Sequence, residues 1–96
     1  MVTIQDVREN REDILRICRE HGGSNVRLFG SVVRGEQTPV SDLDMLVELA
    51  ENRSLLDRIA IKHAIEDLLH TAVDVVSPKA LHQLIREEVL QEAVAL

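Results

Sequence analysis

Aromatic side chains are nearly missing from this chain: Phe29 is the one aromatic among 96 residues, with no Trp and no Tyr. The core must then be aliphatic, and the stacking platforms on which single-stranded bases rest are lacking. Cys18 is the sole cysteine, which excludes a disulfide framework or a cysteine-based zinc site within one chain. It reads as a small apolar residue on a helix face. Positive charge is also short, with 11 Lys and Arg against 17 Asp and Glu, a net charge of −6 and no basic block. Binding to a phosphate backbone wants the opposite sign, so free-standing nucleic-acid binding is not expected. No apolar run approaches the ~18 residues of a membrane span. Asp6, Arg8 and Glu9 interrupt the N-terminus before a signal-like segment can form. No membrane association is expected, and a cytoplasmic setting is. With no Gly/Ser linker, repeat or low-complexity stretch, residues 1–96 are read as one domain.

What is present is a regular alternation of helical and extended patterns. Ile4, Val7, Ile14, Leu15 and Cys18 recur at three- and four-residue steps, which predicts one amphipathic helix from Thr3 to Arg19, opened by Thr3 with Asp6 and stopped by Gly22-Gly23. Asn25 to Phe29 reads as a first strand. Ser31 to Gln37 has room for one or two helical turns before Thr38-Pro39 ends them. Asp42 to Leu49 is a second strand, apolar enough to be covered on both faces. Ser54 with Asp57 opens a helix whose broad apolar face includes Leu55, Leu56, Ile59, Ile65 and Leu68. Ala72 to Val76 is the third strand, and Ser77-Pro78 starts a last helix through Leu84, Ile85 and Val89. The order is α-β-α-β-α-β-α. Strands two and three, joined through a helix, are expected to be parallel neighbours; the direction of the first strand stays open. The terminal apolar run Val89–Leu96 suits either core packing or a partner.

Asp42 and Asp44 are two residues apart, so in an extended strand both side chains leave one face. Their repulsion can be offset by a shared proton, by a cation between them, or by water at a frayed strand end. A divalent cation is the most economical of these for two short-stemmed carboxylates. Ser41 with Asp44 also matches a capping box. Asp74 interrupts the apolar run Ala72–Val76, although strand interiors disfavour Asp. If the two strands are adjacent, Asp74 completes a three-carboxylate cluster suited to Mg²⁺ and phosphoryl or nucleotidyl transfer.

A phosphate-transfer site needs an anion seat, and Leu28-Phe29-Gly30-Ser31-Val32-Val33-Arg34-Gly35 runs from a strand through a glycine into a short helix. Backbone N–H groups and the Ser31 hydroxyl can face an anion there, and Gly30 admits close approach. Gly30 and Gly35 bracket four residues as in a P-loop, but Glu36-Gln37 replace its Lys-Ser/Thr pair, so that motif is rejected. Arg34 is the candidate cation for the phosphates; an ordinary exposed arginine fits equally.

Gly30-Ser31, ten intervening residues and Asp42-Leu43-Asp44 together resemble the GS-x10-D-x-D signature of the DNA polymerase beta-like nucleotidyltransferase superfamily. Asp74 looks like its third carboxylate. The motif covers about residues 24 to 78, and element order and length extend the likeness to the whole chain, which resembles the minimal nucleotidyltransferases, or MNT proteins. The resemblance implies an α+β nucleotidyltransferase fold with a small three-stranded mixed sheet and flanking helices. It also implies an antitoxin that moves AMP from ATP, with two Mg²⁺ ions, onto a tyrosine of a helical HEPN-family partner. In that picture Asp42, Asp44 and Asp74 form the catalytic and metal site, with Asp74 helping to activate the hydroxyl, while Gly30, Ser31 and Arg34 bind the nucleotide. Two other readings stand beside it: a toxin-neutralising module without catalysis, and transfer to a small molecule or RNA. Self-association is left open. His21, His63, His70 and His82 are scattered and support no zinc site.

Overall fold

The computed structural model describes all residues, Met1–Leu96. Its elements are α1 (Ile4–Glu9), α2 (Arg11–Glu20), β1 (Gly23–Phe29), α3 (Ser31–Arg34), β2 (Leu43–Leu49), α4 (Leu55–Leu69), β3 (Val73–Val76), a single 3-10 turn (Pro78–Ala80), α5 (Gln83–Glu92) and β4 (Val94–Ala95). The sheet has four strands in the order β3-β2-β1-β4. β2 runs parallel to β3, and β1 is antiparallel to both β2 and β4. The fold is α+β with a mixed sheet, one strand larger than the three expected. The added strand is the end of the terminal apolar run: Val94 and Ala95 pair with Leu28 and Arg27, and Leu96 N–H donates to the Val26 carbonyl at 3.1 Å.

The N-terminal helix is two helices. Thr3 and Asp6 form the expected capping box, but Asn10 leaves helical geometry, and its side-chain amide donates to the Asp6 carbonyl at 2.9 Å. Asparagine bonds its local backbone readily enough to compete with the helix. The polar stretch Arg8–Asp13 between Val7 and Ile14 contains no apolar residue to hold a continuous helix on the core. The last helix also starts later than Ser77-Pro78 suggests. Leu81 turns extended after the 3-10 turn, and His82 caps α5 through a ring nitrogen that accepts from Leu84 N–H at 3.1 Å.

Alternation along the strands separates two sheet faces. Val26, Leu28, Leu43, Met45, Val47, Val73 and Val75 join Val7, Ile14, Cys18, Ile61 and Ile65 in the aliphatic core. Asp44, Leu46 and Asp74 belong to the opposite face. Leu46 is fully buried there, so central β2 is covered on both sides as its apolar run suggests. Cys18 is buried, which pushes its thiol up to about 11. The buried face of α4 differs from the predicted one: Ile61, which the prediction leaves out, is fully buried together with Ile65, whereas Leu55, Leu56 and Ile59 are exposed.

Candidate active site

β1 ends where the chain must turn under the second face of the sheet, and Gly30 makes that turn at φ +79°. A Cβ at this position would collide with the Asp44 carboxylate, whose Cγ lies 3.1 Å from where it would stand. Glycine is thus required twice, by backbone conformation and by contact with Asp44. Ser31 is the first residue of α3, and Arg34 is its last; Gly35 closes the turn in the left-handed region at φ +72°. The helix is shorter than the Ser31–Gln37 segment allows.

The loop from α3 to β2 is tied by Ser41, whose hydroxyl accepts from Thr38 N–H at 2.8 Å. Ser41 therefore serves its own loop, and the capping-box reading of Ser41 with Asp44 does not hold. Asp42 follows as an exposed residue just before β2, and Asp44 is the second residue of the strand. In the parallel pairing of β2 with β3, Asp44 is the register partner of Asp74. Register partners point to the same face, so the two carboxylates stand side by side on adjacent strands. Burial pushes the Asp44 carboxyl up to about 6, reinforced by Asp74 and Asp42 and opposed by the Arg34 guanidinium. The structure brings Gly30, Arg34, Asp42, Asp44 and Asp74 into one neighbourhood.

A fourth carboxylate, which the sequence pattern does not reveal, completes it. Glu92, at the end of α5, accepts from Gly30 N–H at 2.6 Å and from Arg34 at 2.9 and 3.0 Å. Sixty-two residues separate Glu92 from Gly30, so no local motif links them. Two further residues, Lys62 and Glu66, also escape sequence reasoning. Glu66 accepts from Val73 N–H at 3.0 Å, and Lys62 donates to the Val73 carbonyl at 2.8 Å and to Glu66 at 2.8 Å. They fix the outer edge of β3 immediately before Asp74.

No group of three His, Cys, Asp or Glu side chains is arranged as a ready-made ion cage. The donor set still fits Mg²⁺, which takes hard oxygen ligands, keeps several waters, and binds through one or two carboxylates together with substrate phosphates. The raised carboxyl of Asp44 marks a place short of positive charge, as such an ion would supply.

Comparison with known proteins shows the family. The model of the family described as "Nucleotidyltransferase domain" matches residues 11–96. A Methanocaldococcus jannaschii chain assigned as a protein adenylyltransferase is 38% identical over 89 residues, covering 93% of this chain and 96% of that one. The protein adenylyltransferase MntA of Thermococcus cleftensis is 36% identical, covering 98% and 96% of the two chains. Among solved structures, one assigned as a minimal nucleotidyltransferase superposes with a TM-score of 0.88 at 46% identity, covering 99% of this chain and 97% of its own. The MNT antitoxin–HEPN toxin complex of Shewanella oneidensis, whose toxin is tri-AMPylated, contains a chain of the same fold at 19% identity and a TM-score of 0.69, with 92% and 69% covered. The chain belongs to the nucleotidyltransferase domain family, among its minimal nucleotidyltransferases, and is a nucleotidyltransferase enzyme.

Proposed function

We propose that this protein transfers AMP from ATP to a tyrosine hydroxyl of a HEPN-family partner and thereby acts as an antitoxin, in a Mg²⁺-dependent reaction. The observation that carries the reading is the pairing of Asp44 with Asp74 on parallel strands beside the glycine turn. Its support beyond this chain is the naming of a near-full-length relative as the protein adenylyltransferase MntA, together with the AMPylated toxin complex of the same fold.

In this reading Gly30 N–H, the Ser31 hydroxyl and Arg34 seat the β- and γ-phosphates of ATP, a role suited to donors at a close backbone approach. Asp42 and Asp44 would hold Mg²⁺, with Asp74 beside them. When bound, the ions neutralise phosphate charge and lower the barrier to in-line displacement. Asp74 lies next to the acceptor hydroxyl and takes its proton. The tyrosine oxygen forms a bond to the α-phosphorus while the bond from that phosphorus to the bridging oxygen breaks, and pyrophosphate leaves with the electron pair. An acidic chain with few stacking groups fits a protein acceptor better than RNA.

The test is incubation with α-labelled and γ-labelled ATP in the presence of a HEPN-family partner. Label should pass to the partner from the α position only, and Asp44→Asn should slow transfer by about three orders of magnitude, the scale of metal-assisted charge stabilisation. Undiminished transfer by Asp44→Asn would remove its proposed role. Partner silencing without ATP, at one-to-one amounts and by an Asp42→Asn/Asp44→Asn variant, would favour a binding module. Label found on RNA or a small molecule instead would replace the acceptor.

A further inference from the structure

The two groups best placed to meet a nucleotide's phosphates already hold an anion. Glu92 accepts from Gly30 N–H and from Arg34 through both carboxylate oxygens, the charge and acceptor pattern that a phosphate would present. The contact is electrostatically awkward for Glu92. It is the last residue of α5, where the helix dipole disfavours a negative charge. It also adds negative charge next to Asp44. Arg34 is divided between Glu92 and Glu36, and it is the guanidinium that opposes the charge around Asp44. What offsets these costs is the pair of donors at Gly30 and Arg34.

We propose that Glu92 is a built-in phosphate mimic: its carboxylate closes the seat in the nucleotide-free protein, and a nucleoside triphosphate binds by displacing it from Gly30 N–H and Arg34. The inference rests on the reading above that these groups seat the phosphates. The affinity observed for ATP is then reduced by the fraction of molecules in which Glu92 is seated. Displacement returns the whole Arg34 charge to the ligand. A purely structural role has the opposite sign, because removing an anchor from Arg34 would loosen the seat and weaken nucleotide binding.

The experiment is calorimetric titration of the full chain with ATP, inorganic triphosphate and adenosine, in buffer containing Mg²⁺, for wild type, Glu92→Ala and Glu92→Gln, with folding checked by circular dichroism. Glu92→Ala should bind ATP and inorganic triphosphate about tenfold more tightly, with adenosine unchanged, as expected when a competing internal anion is removed. Glu92→Gln preserves the shape of the contact without the charge; it should fall between the two and stands in if the alanine variant does not fold. Equal or weaker triphosphate binding in the folded variants would overturn the displacement while leaving the nucleotide site intact. Triphosphate binding by none of the three proteins would overturn the seat itself, and the inference with it.

Discussion

A methyl group at Gly30 would run into the Asp44 carboxylate, and the φ of +79° there is one that residues with a Cβ rarely adopt. Gly30→Ala is expected to cost about 2–3 kcal/mol in urea denaturation, from backbone strain and overpacking; a loss under about 0.5 kcal/mol would mean that the turn takes another backbone conformation and Asp44 swings clear. Asp44 itself should act against the fold at neutral pH. Its carboxyl sits at about 6 in the folded chain against 3.8 as its ordinary value, so between those values the folded state holds the proton more tightly than the unfolded one. Stability from this residue is therefore greatest below pH 4, falls as pH rises through that window, and stays reduced above pH 6. In metal-free buffer Asp44→Asn should be more stable than wild type at pH 7.5 by on the order of 1–2 kcal/mol, after allowing for solvent screening. Near pH 4 the two should melt together, and a gap that persists there would contradict the assignment.

At the scale of elements, β3 is an edge strand of four residues, and its hold on Asp74 depends on the bonds that Lys62 and Glu66 make to Val73. Lys62 holds the Glu66 carboxyl below its usual range, helped by the Val73 N–H, so this clamp persists above the ordinary Glu value and weakens as pH falls through the lowered one. Lys62→Met should lower the maximal transfer rate roughly three- to tenfold with the KM for ATP unchanged, since small misplacements of a reacting group are costly. A change in KM alone would place Lys62 elsewhere in the reaction. Elements with strong local signals were legible in sequence: the apolar run of β2, the Thr3–Asp6 and Ser54–Asp57 capping boxes, and the parallel placement of β2 and β3 that pairs Asp44 with Asp74. Features set by distant contacts were not. Val94 and Ala95 become a strand because β1 offers an open edge, and Glu92 reaches Gly30 only after the whole sheet has formed. Apolar spacing alone also ran α1 into α2, since a helical wheel does not register the side-chain bond from Asn10 to Asp6.

Across the whole molecule the net charge of −6 and the acidic neighbourhood of Asp44 lead us to expect that a divalent cation would act as a stabilising ligand. At Mg²⁺ tenfold above its dissociation constant, the folded state should gain about 1.4 kcal/mol, raising Tm by roughly 6–11 °C for a chain of this length, and Asp44→Asn should lose most of that gain. A rise of equal size in the variant would locate the ion elsewhere. The same site is the centre of the proposed reaction, and intact-mass measurement of a HEPN-family partner after incubation with ATP and Mg²⁺ tests it most directly. The partner should gain whole AMP units on tyrosine with the wild-type protein, and almost none with Asp44→Asn or Asp74→Asn. A partner of unchanged mass that is nonetheless silenced, or one modified equally well by both variants, would contradict the account.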